Sequence, residues 1–141
     1  MTDAARAVQK LGEWTTPRGA ASLRAIGPDV VIIEMSGYVD DAVGAGIATA
    51  LRAWLANATS VHTFWDLEGL TAYHSAVRTL NVQVLLDHKR QVASTHAFSK
   101  SKLVRLGILA AKIALGGRLR MYEDRASFDA ARDDVLNAEA S

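Results

Sequence analysis

An α/β domain is the fold class this sequence predicts: a single domain with a mostly parallel sheet of four to five strands, an antiparallel N-terminal strand and about four flanking helices. Three observations predict it. Short apolar runs rich in β-branched residues recur at 30–35 ("VVIIEM"), 61–67 and 92–98. Segments with apolar residues every three or four positions lie between them. The two kinds of segment alternate, which requires crossover connections and therefore parallel strand pairing.

Residues 2–14 set Val8, Leu11 and Trp14 at helical spacing, with Thr2 or Asp3 as the cap, so a short helix or arm is expected over 1–17 and the domain proper over 18–141. Pro17 and Gly19 end that pattern. A first strand is expected at 21–26, and "GPD" at 27–29 is a turn that pairs it antiparallel with the strand at 30–35. Asp40 or Asp41 then caps a helix whose apolar stripe is Val43, Ile47, Leu51, Trp54 and Leu55. Gly44 and Gly46 weaken its first turns, and their place beside the stripe lets the helix lie close to the sheet. A central strand at 61–67 is expected to end in a turn at "DLEG". The second helix runs from Ser75 to about Arg90, with Val77, Leu80, Val84 and His88 on one side. After the strand at 92–98, Ser99 or Ser101 caps a third helix that "GG" at 116–117 stops, because glycine accepts the left-handed conformation. A last strand at 118–122 turns Leu119 and Met121 inward. Asp124 then caps a final helix that buries Phe128, Ala131, Val135 and Leu136.

Composition bounds the function. The 141 residues suit one domain with its own core. With no cysteine there is no disulfide, thiol nucleophile or cysteine metal site, which fits a cytoplasmic protein. Sixteen basic residues against fifteen acidic ones leave no footprint for nucleic acid. The charges are uneven, since residues 89–120 hold eight Lys and Arg and no acid. The N-terminus lacks the apolar core of a secretory signal. The greasiest stretch, 103–115, is interrupted by Arg105 and Lys112 and falls short of the roughly 20 residues needed to span a bilayer.

Catalytic and cofactor motifs are not apparent. "VGAGIA" at 43–48 lacks the third glycine of a dinucleotide loop and sits inside a helix pattern. His62, His74, His88 and His96 do not have zinc-helix spacing, and there is no "GxSxG" elbow. No cofactor and no metal are expected. Asp66, His74 and Ser75 would make a catalytic group only if folding brought them within hydrogen-bond reach.

The stretch "FWDLEGLTAYHSAVRTL", 64–80, resembles the central signature of the STAS domain, the sulfate-transporter and anti-sigma-factor-antagonist family. "SKLVRLGILAAKIALGG" followed by "RLRMYEDRASFDAA" looks like the divergent SpoIIAA-like branch. The likeness runs over about 20–136. It implies a STAS/SpoIIAA-like sheet with helices, no catalytic centre, and a bacterial, cytoplasmic role in regulation through protein–protein interaction. Within it Ser75 stands at the phosphoacceptor position, flanked by His74 where the family has aspartate and by Ala76 and Val77 where it has serine and glycine. The structural alternative for Ser75 is a helix cap.

The third helix carries Leu103, Val104, Leu106, Ile108, Leu109, Ile113 and Leu115 and has almost no polar face. Either it is well covered, with the N-terminal helix folded over it, or it presents an apolar patch. The leading expectation is a non-enzymatic interaction module that binds a protein partner or a second copy of itself. Its contact residues would be Asp66, Glu68, His74, Ser75, Lys100, Lys102, Leu103 and Leu106. The alternative is a carrier of a small apolar or lipid ligand that uses the third helix.

Overall fold

The computed structural model describes residues 6–140. Among these, six strands form one sheet in the order β1-β2-β3-β4-β5-β6. They are β1 (Val8–Thr15), β2 (Gly19–Ile26), β3 (Val30–Val39), β4 (Val61–Tyr73), β5 (Val92–Phe98) and β6 (Leu119–Tyr122). The helices are α1 (Asp41–Leu55), α2 (Ser75–Asp87), α3 (Lys102–Leu115) and α4 (Arg125–Ala140). The first three strands pair antiparallel, and the pairs from β3 to β6 are parallel, as the alternation of strands and helices requires. The expected α/β domain is present with one strand more than the sequence pattern counted.

That strand replaces the expected N-terminal helix, of which residues 2–5 lie outside the described ones. Val8–Thr15 pairs with β2, and the register shifts between Lys10 and Gly12. The bulge places Leu11 and Trp14 on one face of the sheet, where both pack against the core under α1. Their three-residue spacing therefore mimics a helix. The described part of the N-terminal segment, from residue 6, lies at the β1 edge of the sheet, away from α3, which follows β5.

The two faces of the sheet are built differently. On one, α1, α2 and α3 cover a large aliphatic core that includes Leu23, Ile33, Ile47, Leu51 and Val84. On the other, α4 closes a small aromatic core of Phe64, Phe98 and Phe128 with Val30, Ile32 and Leu136. Asp40 caps α1, its Oδ1 accepting from the Val43 amide (2.8 Å). A Cβ at Gly44 would press on Val77 of α2, and one at Gly46 on the Trp14 indole, so these glycines let α1 approach α2 and β1 closely. Ser101 caps α3 (3.3 Å to the Val104 amide) and Asp124 caps α4 (2.7 Å to the Ser127 amide). Gly116, at φ 69°, ends α3.

Candidate functional site

The stretch 66–69, which reads as a turn, is part of a strand. β4 continues through it to Tyr73. Glu34 and Ser36 of β3 stand opposite Asp66 and Gly69, so β4 carries an extra residue there, and a second shift follows at Tyr38. The acid-Gly signature is thus a β-bulge. The consequence is distance. At about 3.3 Å per residue, the strand carries His74 and Ser75 on the order of 20 Å beyond Asp66.

The predicted contact residues therefore fall into separate places. Asp66 and Glu68 sit at the bulge. Arg125, in the first turn of α4, reaches Asp66 Oδ2 with Nη1 (2.8 Å) and Nη2 (2.5 Å), and its Nε lies 3.7 Å from Glu68 Oε1. Lys100 Nζ is 3.8 Å from Glu68 Oε2. Burial raises the Asp66 carboxyl above its ordinary value, and the charges of Glu34 and Glu68 add to this; Arg125 and the Glu68 amide oppose it without cancelling it. The sign follows: stability tied to this group is present at low pH and declines as pH rises through the native value. Arg125 was not singled out in the sequence; its position one residue after the capping Asp124 was the available signal.

Ser75 is the first residue of α2 and is exposed, but it is not the cap. His74 takes that role, its Nδ1 accepting from the Ala76 amide (3.1 Å). The imidazole acceptor satisfies one of the free amides of the first turn, so the cap does not need the Ser75 hydroxyl. Lys102, Leu103 and Leu106 lie on the outer side of α3, exposed together with Leu109 and Ile113; Ile113 is 87% exposed. The opposite side of α3, with Val104, Gly107 and Ile108, is buried.

Between that buried side, α2 and the sheet lies a cavity of about 90 Å³. Its wall includes Met35, Leu67, Val77, Leu85, Ile108 and Ala111. Its polar groups are few. Tyr73 stands at α3, where a Cβ on Gly107 would overlap its hydroxyl, and Arg78 Nη1 donates to that hydroxyl (3.1 Å). Thr95 also lines the cavity, and its hydroxyl accepts from Thr63, which in turn accepts from the Trp65 indole (both 3.1 Å). The remaining polar group is Asn81, 4% exposed. Its Nδ2 donates to Val77 O (2.8 Å) and Gly44 O (3.3 Å), while its Oδ1 has no hydrogen-bond partner among the described residues. Asn81 holds the inward position of α2 where the periodicity placed Leu80, which is 38% exposed. An amide spaced with Val77, Val84 and Leu85 was the signal for it.

Two histidines join under α4. His62 Nδ1 meets Ser94 Oγ (2.6 Å), Ser94 Oγ meets His96 Nε2 (2.8 Å), and His96 Nδ1 meets the Tyr122 hydroxyl (2.7 Å). His96 stacks on Phe64 with centroids 4.3 Å apart. Burial, with smaller contributions from His62 and Arg120, lowers the His96 pKa to about 4, so the ring is neutral at neutral pH. Among the described residues no group of three or more His, Cys, Asp and Glu is arranged to hold a metal ion, and no helix is long and apolar enough to cross a membrane.

No protein-family model and no curated protein matches the sequence. A solved structure does match: a protein of the DUF3478 family from Shewanella loihica, described as having a SpoIIAA-like fold. The match covers 90% of this chain and 94% of that one, with a TM-score of 0.55 and 12% identity. The fold is SpoIIAA-like. At this identity the likeness extends to architecture alone, and function rests on the side chains. In this SpoIIAA-like domain those are the Asp66–Arg125 bulge, the α2 start and the cavity beneath α3.

Proposed function

We propose that this chain is a non-enzymatic binding domain that takes a small apolar ligand in the cavity between α2, α3 and the sheet. The observation that carries this reading is the cavity itself, about 90 Å³ with a nearly continuous apolar wall. Interiors pack densely and contain few voids larger than a water molecule, so a space of this size behind a helix is a candidate binding site. Tyr73 and Arg78 are among the polar residues that line it. Titration with xenon and with small hydrocarbons, followed by the amide signals of Val82, Gly107 and Ile108, tests the reading. Saturable shifts that vanish in Ala111→Leu are expected. Shifts that do not saturate, or that survive the substitution, count against it.

A second reading has its own observation. Leu103, Leu106 and Ile113, at 58%, 64% and 87% exposure, form one stripe along α3. A stripe of this kind supports an interaction module, here self-association through α3. Sedimentation equilibrium of the wild type and Leu106→Asp separates the cases: a dimer abolished by the substitution supports it, and a monomer in both excludes it. On the same reading Ser75, exposed and free of capping duty, is the residue a kinase would modify. A phosphate there would sit at the N-terminus of α2, which its dipole favours.

A further inference from the structure

We propose that β1 pairs antiparallel with β1 of a second copy of this chain, joining the two sheets into one across a two-fold axis between Leu11 and Gly12. The inference rests neither on the cavity nor on the outer side of α3. β1 is the outermost strand of the sheet, 8 residues long, and no strand among the described residues lies on its far side. Its register shows which backbone groups are free. In an antiparallel pair, residues that bond to the neighbouring strand alternate with residues whose N–H and C=O point away from it. The Gly27 amide donates to the Ala7 carbonyl (2.8 Å), and the Thr16 amide donates to the Gly19 carbonyl (2.9 Å). From these two anchors the alternation runs inward along the register. Gln9, Gly12 and Trp14 bond to β2, while Val8, Lys10, Glu13 and Thr15 turn their backbone groups outward. Such a row of unpaired groups is a template for another strand.

The symmetry of this edge names its occupant. About the axis, Val8 meets Thr15 of the second copy and Lys10 meets Glu13, and each pairing recurs with the copies exchanged, as a two-fold interface requires. The side-chain faces agree. Val8, Lys10, Glu13 and Thr15 stand opposite Ile26, Arg24, Ser22 and Ala20 on one face, whereas Gln9, Gly12 and Trp14 stand opposite the buried Ala25, Leu23 and Ala21 on the face where Leu11 packs. Every pairing therefore joins residues of the same face. The bulge selects against other strands. A regular strand laid along β1 falls out of step at the extra residue, but a second copy brings the same extra residue to the same place. There the Trp14 indole lies over Gly12, opposite Leu11 of the second copy. Charge follows the same register. Lys10 and Glu13, with side chains 71% and 55% exposed, form a 2.5 Å ion pair within the strand. Beside a second copy the charges alternate in sign around the axis, so each Lys10 meets a Glu13 in its own strand and another across the interface. Directly opposed charges of opposite sign favour strand pairing, and like charges oppose it.

Sedimentation equilibrium of the full chain, paired with hydrogen exchange of its backbone amides, tests the proposal. The wild type should dimerise, and the amides of Val8, Lys10, Glu13 and Thr15 should gain protection as concentration rises, while those of Leu103 and Leu106 should not. Lys10→Glu sets like charges opposite each other twice and should weaken the dimer about tenfold or more, as should Glu13→Lys. The double variant carrying both changes restores opposite signs at each pairing and should return the affinity to within about threefold of the wild type. Leu106→Asp should leave the dimer intact, which separates this edge from the outer side of α3. A dimer indifferent to both single changes overturns the proposal, as does one that the double variant fails to recover or that Leu106→Asp abolishes. A monomer at every concentration, with β1 amides that exchange freely, also overturns it and leaves the edge to a strand of another protein. None of these outcomes bears on binding in the cavity, so the two proposals stand or fall separately.

Discussion

The two faces of the sheet solve the same packing problem to different degrees of completion. Under α4, three phenylalanines meet with centroid distances of 5.9 Å, and Phe64 stacks on His96. Beside them His62, Ser94, His96 and Tyr122 are joined in a hydrogen-bonded chain, while at the margin of this face Arg6 Nε, Asp29 Oδ2 and Asp129 Oδ1 have no hydrogen-bond partner among the described residues. Under α2 and α3 the aliphatic core is larger, yet it leaves a cavity, an unpaired amide oxygen and a helix whose outer leucines face solvent. Core size and core completeness are therefore separate properties. The α4 face is closed, whereas the α2–α3 face has room for a guest.

Breaking the closed face should have the largest effect. Phe128→Ala removes the ring that touches Phe64, Phe98 and Tyr122, and a loss of about 3–5 kcal/mol in urea unfolding is expected. The polar chain on that face gives the next effect. Between pH 6.5 and about 4 the unfolded chain binds a proton at residue 96 while the native chain does not. Stability from this group is therefore full above 6.5 and lost as pH falls to about 4, by at most roughly 3 kcal/mol. His96→Phe should flatten the stability–pH curve across that window.

A paired experiment sharpens the contrast directly. Enlarging a small residue on each face should give opposite signs. Ala131→Leu, against the aromatic core, should destabilise by about 1–3 kcal/mol through overpacking. Ala111→Leu, on the cavity wall, should stabilise by about 1 kcal/mol. The same sign for both would mean that the two faces are equally full. The smallest effect belongs to Leu106→Asp on the outer side of α3, within about 0.5 kcal/mol in thermal unfolding.

Much of the fold was legible because local chemistry and tertiary placement agree. The run 30–35 is β-branched and buried in the middle of the sheet. Ser101, Asp124 and Gly116 act at the helix ends where their residue types belong. The failures have one physical source. A bulge changes the period of a strand, so Leu11 and Trp14 imitate a helix face and the 66–69 stretch imitates a turn. The candidate site was less legible for a further reason. Arg125 meets Asp66 from 59 residues away, and no local pattern records such a pairing. Capping by His74 was missed because an imidazole nitrogen is an uncommon substitute for the adjacent serine hydroxyl. Asn81 was visible only as one polar residue in an apolar period.

The strand order also bears on how the molecule assembles. Each strand in the series β1 to β6 lies beside the one that precedes it in the chain. No strand waits for a partner made much later, so every new segment can add to an edge already formed. Such a sheet can grow in the direction of synthesis, and the average chain loop closed at each step stays near the length of one helix. The last addition is α4, which shields the phenylalanines, so a nascent chain halted before residue 125 would still expose the aromatic face to chaperones and to other chains.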